Sequence, residues 1–314
     1  RQMCIRDRVK AAEIMLADQK YAEAAKWFAK APKNQLDETA YYQYIVAEFY
    51  SGNAKNALEV ARHGLQKYAG SEYLSRLAVM AAVDQNQFPE ALTYSENVMR
   101  GKEQKNYNDF YYYGQALAGN DKFQEAINAY NKCLELKPGE VDPLSKLSAA
   151  YAGLGDGDKA LDFQRQYLEK GTNITSTDWA DFAGIYIKMG DQVDSLDHAK
   201  AVGYYTQAMD VYEKMTEKFP TLKDWCWVAE ASVALGKLKD LDKVRDLYMK
   251  VAEYEEAKAD KSDANTKNYL SAAYYFLGYY YAGKNDAETS KSYFEKLIQI
   301  DPENAEAKKA LGLE

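Results

Sequence analysis

The sequence predicts an all-α fold, a right-handed α-solenoid of stacked antiparallel helix pairs. Three observations predict it. Ala24, Ala57, Ala91, Ala126 and Ala160 recur at intervals of 33, 34, 35 and 34 residues. Each closes the same phrase, a polar turn running into a helix start: QKYAEA, GNAKNA, NQFPEA, NDKFQEA and LGDGDKA. Proline, which cannot continue a helix interior, numbers only 6 among 314 residues. A period of about 34 marks a stacked helix-turn-helix array, in which each unit buries its apolar face against the next.

Taken in order, the units run 9–38, 39–71, 72–106, 107–140, 141–175, 176–220, 221–267 and 268–302, a single array of about eight repeats. Residues 303–314 form a short amphipathic tail that would cap the last apolar face. The first five units are regular. After Ala160 the comparable positions are Ala201, Val244 and Ser290, at intervals of 41, 43 and 46. The later units therefore carry insertions, with Asp191–Lys200, Leu238–Lys243 and Ala257–Lys267 as candidates. The last of these, AKADKSDANTK, reads as an exposed polar loop.

The fourth copy is the clearest. Phe110, Tyr113, Gly114 and Leu117 occupy its first helix; Ala126, Tyr130 and Pro138 occupy its second helix and exit. The last copy repeats the pattern with Tyr274, Leu277, Gly278 and Tyr281, then Ser290, Phe294 and Pro302, serine replacing alanine. These residues resemble the tetratricopeptide repeat (TPR) family, and the phased series extends the resemblance over nearly the whole chain. The slots have physical reasons. Small residues let two helix backbones approach where they cross, and aromatic residues fill the space beside them. Polar pairs with Gly, Asn or Asp stop the first helix and turn the chain.

Composition excludes several classes. With 47% hydrophobic residues the chain can build a core. A formal charge of −8 opposes sequence-independent nucleic-acid binding, which needs Lys and Arg to displace counterions. It equally opposes docking on anionic membranes. No apolar run reaches the ~18 residues that span a bilayer, so no direct membrane insertion is expected. The first eight residues, RQMCIRDR, lack an initiating Met and join the helical pattern abruptly. They resemble a translated sequencing-adapter remnant and read as non-native, so any export signal would lie outside this sequence. Cys133 and Cys226 sit in separate repeats and read as buried thiols packed as small hydrophobes.

Signals for chemistry are sparse. His63 and His198 lie in unrelated settings, with no HExxH motif and no nucleophile partner. GLGDGD at 153–158 fails the dinucleotide, P-loop and calcium-loop patterns and aligns with the turns of the other repeats. Asn173-Ile174-Thr175 fits a glycosylation sequon but reads as a polar junction. One acidic cluster, Asp191, Asp194, Asp197 and His198, has spacings that gather side chains on a helical face. A metal-dependent protein or enzyme with its site in 191–200 is therefore carried as an alternative, beside solvated helix-start acids.

The resemblance implies that first helices line a concave groove. Repeat phase places Tyr42, Phe49 and Tyr50 there, then Tyr73 and Arg76, then Tyr111 and Gln115, with Tyr275 and Tyr279 in the last repeat. The chain holds 28 tyrosines. Tyrosine suits recognition because it joins rigid apolar area to a hydroxyl at home near water. Packing between neighbouring helices is the competing reading. The carboxylate clamp of chaperone-binding relatives, made of Lys, Asn and Arg, is missing from these positions. The expectation is a non-enzymatic scaffold for protein–protein interaction in a bacterial assembly, without cofactor or nucleic acid, holding a protein or peptide segment. A repeat portion of a longer protein whose effector part is missing is the other alternative. A weaker resemblance to bacterial envelope TPR proteins favours the periplasm or envelope, with the cytoplasm as alternative.

Overall fold

The computed structural model of the chain describes residues 5–258 and 263–313. Among these, every regular element is helical. The chain divides into two compact units, Arg1–Lys170 and Gly171–Glu314.

The first unit holds α1 (Ile5–Ala17), α2 (Tyr21–Ala29), α3 (Glu38–Tyr50), α4 (Ala54–Lys67), α5 (Glu72–Asp84), α6 (Phe88–Arg100), α7 (Tyr107–Ala118), α8 (Phe123–Leu136), α9 (Asp142–Leu154) and α10 (Gly157–Lys170). Turns of a few residues join α1 to α2, α3 to α4 and so on, so each pair is antiparallel. Every such turn passes through one left-handed residue: Gln19, Gly52, Asn86, Asp121 and Gly155. Each stands five residues before its alanine, so the turn and the crossing share one period. Helix starts are capped by side chains, among them Asp37 onto Ala40 N, Ser71 onto Leu74 N, and the reciprocal Asn106–Asp109 box.

The alanines mark helix crossings. Ala24, Ala57, Ala91, Ala126 and Ala160 are all fully buried. Twelve residues upstream of each stand Ala12, Ile45, Val79, Gly114 and Ser148, all buried on the first helix of the pair. At Gly114 a β-carbon would lie 2.5 Å from the Tyr130 ring, so only glycine fits against that aromatic. Ser148 Oγ donates to Ala160 O at 2.8 Å, spending its hydroxyl across the crossing. We expect Ala126→Leu to overpack this contact and cost on the order of 2 kcal/mol. Chemical denaturation checks it, and a variant that unfolds with the wild type would disprove the crossing.

The second unit holds α11 (Ser176–Val193), α12 (His198–Lys218), α13 (Lys223–Val233), α14 (Leu241–Glu256), α15 (Ala264–Gly283), α16 (Ala287–Ile300) and α17 (Ala305–Ala310). The crossing recurs with glycine under an aromatic: Gly190 under Tyr205 and Gly278 under Phe294. Ser290 Oγ donates to Gly278 O at 2.8 Å, the converse of the Ser148 arrangement. Lys239 and Asn285 take the left-handed turn position, five residues before Val244 and Ser290. Ala307 is buried in the cluster of Tyr274, Phe294 and Leu297, so α17 covers apolar surface of the last pair.

The segment 257–267, expected as an exposed loop, is in part helix. Much of the extra length is helix. α11 has 18 residues and α12 has 21, against 12 to 14 in most helices of the first unit. Met189, Gly190, Ala201 and Tyr205 continue the buried face across the added turns, which makes helix better than loop. Residues 234–238 form a π-helical turn after α13. Within 257–267, residues 259–262 lie outside the described residues. From Ala264 onward the segment is already α15, capped by Asp263, with Thr266 buried.

Candidate binding groove

In the first unit α3 touches α5 and α5 touches α7, so these first helices present one continuous face. A pocket of about 340 Å³ opens on it. Its rim is aromatic: Tyr42 and Tyr50 from α3, Tyr73 from α5 and Tyr112 from α7. Leu77, Met80 and Val98 form apolar wall. Asn106, Asn108, Asp109 and Arg76 supply the polar groups. A second pocket of about 420 Å³ adjoins it, lined by Glu38, Thr39, Tyr42 and Tyr73. Two tyrosines are common to both, so the depressions form one groove.

The rim tyrosines differ from those that pack helices. Tyr42, Tyr50 and Tyr73 remain 40%, 56% and 52% exposed. Their hydroxyls have no hydrogen-bond partner among the described residues. Packing tyrosines spend theirs internally. Tyr41 donates to Lys33 O at 2.7 Å, Tyr94 to Glu90 at 2.6 Å, Tyr205 to Asp191 at 2.7 Å and Tyr274 to Glu256 at 2.6 Å. Tyr112 is half-buried; burial and then the nearby Tyr50 push its phenol above the ordinary value, so it stays protonated.

Arg76 is not a free cation. Its Nε donates to Asp109 Oδ1 at 2.8 Å and its Nη2 to Gln104 O at 3.2 Å. Asp109 is buried, and its other oxygen accepts from Asn106 N. A carboxylate on a ligand would therefore have to displace a geometrically fixed partner.

The remaining sequence-derived positions lie elsewhere. Phe49 packs partly buried against the core, edge-on to Tyr50. Tyr111 does not line the pocket. It stacks on Tyr107 at 5.7 Å and meets Tyr130 edge-on, and burial followed by Asp142 raises its phenol. Gln115 is half-buried and also off the lining. Tyr275 and Tyr279 belong to the second unit, their rings 4.9 Å apart. Tyr279 donates to Glu306 at 2.7 Å, which with burial pushes its phenol up to about 12 and ties α15 to α17.

Sequence reasoning missed Tyr112, Asn106, Asn108 and Asp109. A signal existed for Asp109: it lies 33 residues after Arg76, one repeat away, and the Asn106-x-x-Asp109 spacing is that of a capping box. Tyr111 stands five residues after its cap, as Arg76 does, and each faces the pair that follows its own: Arg76 reaches Asp109 of α7, whereas Tyr111 lies near Asp142 and Tyr167, beyond this pocket.

The acidic cluster of the α11–α12 junction is separately engaged. Asp191 accepts from Tyr205 and, at 2.6 Å, from Lys237. Asp194 pairs with His198 Nδ1 at 2.6 Å, and Asp197 caps α12. Among the described residues no three His, Cys, Asp or Glu side chains come together as metal ligands. Cys133 and Cys226 are buried free thiols, pushed by burial up to about 12 and about 11. No helix among the described residues is long and apolar enough to cross a membrane.

Stacked antiparallel helix pairs with an exposed groove define an α-helical repeat scaffold. The family model for the tetratricopeptide repeat matches residues 110–140 and 271–304, one stretch in each unit. The C-terminal part of a TPR repeat-containing protein from Cytophaga hutchinsonii shares the fold at 20% identity and TM-score 0.61, covering 86% of this chain and 99% of that one. MamA from Desulfovibrio magneticus is similar over 52% of this chain and 93% of its own, at 19% identity and TM-score 0.47. YrrB, described as a TPR protein with an unusual peptide-binding site, aligns at 18% identity and TM-score 0.42, over 56% and 86%. No curated protein matches the chain.

Proposed function

We propose that the protein is a non-enzymatic scaffold that holds an extended segment of a protein partner in the groove of its first unit. The observation that carries this reading is the rim itself. Tyr42, Tyr50 and Tyr73 expose ring surface and unspent hydroxyls around an apolar-walled pocket. Such tyrosines supply rigid contact area and hydrogen bonds at low entropic cost, which is what a few binding anchors need. Asn106 and Asn108 lie where amide groups can meet a peptide backbone. Arg76 and Asp109 neutralise each other, which argues against a terminal-carboxylate clamp. The anchors are thus Tyr42, Tyr50, Tyr73 and Tyr112. Phe49, Tyr111 and Gln115 support the helices that carry them, and Tyr279 secures the terminal helix. A bacterial assembly in the envelope is the setting favoured by the resemblance drawn from sequence.

A library of short peptides screened against the full chain supplies a probe. We expect Tyr42→Ala with Tyr73→Ala to weaken the selected peptide by at least ~2 kcal/mol, roughly 30-fold, in calorimetric titration while the helical circular-dichroism signal is unchanged. Tyr111→Ala, outside the pocket, should leave affinity within a few fold. Equal binding by the double variant and the wild type would defeat the groove reading.

A further inference from the structure

We infer that the adjoining pocket lined by Glu38, Thr39, Tyr42 and Tyr73 receives a basic side chain, arginine or lysine, of the bound segment. The inference rests on the groove reading above and specifies what one part of the groove selects.

The pocket of about 420 Å³ has two exposed tyrosine rings and one carboxylate, and no cation lines it. Glu38 lies in the first turn of α3, half-buried, and forms no ion pair among the described residues. The faces of aromatic rings carry negative potential, so two of them beside a carboxylate attract a cation from both kinds of wall. The basic residue that lines the larger pocket, Arg76, is already held by Asp109. It therefore neither fills this pocket nor repels a visiting cation strongly. An anion entering here would meet Glu38 and the ring faces with nothing to compensate it. A purely apolar side chain would leave the carboxylate beside it partly desolvated and unpaired, which costs free energy. A basic side chain satisfies all three groups, with its methylene stem on the rings and its charge at Glu38. The chain's formal charge of −8 adds long-range attraction for a basic segment. Glu38 also favours the start of α3 through the helix dipole, and that role alone would give no ligand selectivity.

The test uses the full chain and a synthetic library of short peptides randomised about a central residue held either as arginine or as citrulline, its neutral isostere. Binders should come from the arginine half. In the tightest of them, arginine to citrulline should weaken binding roughly 10-fold, with the difference shrinking as salt rises. Glu38→Gln should weaken the arginine peptide by a similar factor and leave the citrulline peptide unchanged, so that the two changes are not additive. Thermal melting of Glu38→Gln separates loss of the helix start from loss of the ligand. If peptides bind and are lost with Tyr42→Ala and Tyr73→Ala, yet arginine and citrulline bind alike, the cation pocket is overturned and the groove stands. If the tyrosine variant also binds as the wild type does, the groove reading fails with it.

Discussion

Tyr205→Ala is expected to destabilise the second unit by about 3–5 kcal/mol, the range for deleting a large aromatic from a core. Tyr205 is fully buried, and its ring fills the space over Gly190 where α11 and α12 cross. A glycine floor cannot collapse to refill the hole, because it has no side chain to move. The substitution also removes a hydrogen bond. Tyr205 donates to Asp191, which binds Lys237 of the π-helical turn as well. One side chain thus joins α11, α12 and the turn after α13. Tyr205→Phe separates the two contributions: it keeps the ring and loses only the bond, so about 1 kcal/mol is expected. Three of the four tryptophans, Trp179, Trp225 and Trp227, lie in this unit, so denaturant titration followed by tryptophan fluorescence reports on it. Equal loss for alanine and phenylalanine would show that the hydroxyl, not the packing, holds the junction.

The second large effect is expected at a buried carboxyl pair. Asp224 of α13 and Glu255 of α14 are both buried, and Lys258 bridges them at 2.9 and 2.6 Å. Burial and the neighbouring Asp224 push the Glu255 carboxyl above its ordinary value. Burial acts on Asp224 in the same sense, but hydrogen bonds from Glu255 and Lys258 outweigh it and hold that carboxyl down. Thr266 and Tyr269 of α15 face the same cluster. Lys258→Met removes the cation and leaves two acids to share the site. A loss of about 3 kcal/mol near neutral pH is expected, the low end for breaking a buried pair because Lys258 is partly open to solvent.

The pH dependence of that loss has a definite sign. A carboxyl raised in the fold binds its proton more tightly folded than unfolded. Its contribution is complete below the unfolded value and is lost as pH rises through the folded one. Without Lys258 the Glu255 carboxyl rises further, so the deficit should shrink as pH falls from neutral toward the ordinary carboxylate range. Lys258→Arg, which keeps the charge, should recover most of the stability. Denaturation midpoints across pH check both statements. A deficit of the same size at every pH would show that Lys258 acts by packing its stem rather than by its charge.

The helix pairs were legible because their signals are local. A left-handed residue at Gln19, Gly52, Asn86, Asp121 and Gly155 ends each first helix, and an alanine five residues on marks the crossing. Both depend only on neighbours in sequence, so their spacing reads directly as architecture. The Gly114–Tyr130 and Gly278–Phe294 crossings were legible for the same reason. The polar composition of 257–267 reads as a loop, yet the segment is helical from Ala264. Thr266, inside 257–267, is buried on the first turn of α15, so that polar segment already contributes to a helix's buried face.

The groove was legible only as a set of candidates. Tyr42, Tyr50, Tyr73 and Arg76 meet at one pocket, whereas Tyr111 turns toward the next pair and Tyr112 takes its place on the rim. Tyr42, Arg76 and Tyr111 share one phase, five residues after their caps, so phase along a helix does not say which neighbouring pair closes a pocket over each of them. By itself the sequence determined the helix pairs, their turns and the small residues at their crossings, because those follow from spacing along one chain. Only the tertiary structure decided which tyrosines keep free hydroxyls among the described residues, that Arg76 is spent on Asp109, and that Glu38 has no basic partner among those residues. Those facts depend on side chains brought together from different repeats, and neither repeat's sequence states what the other will place beside it.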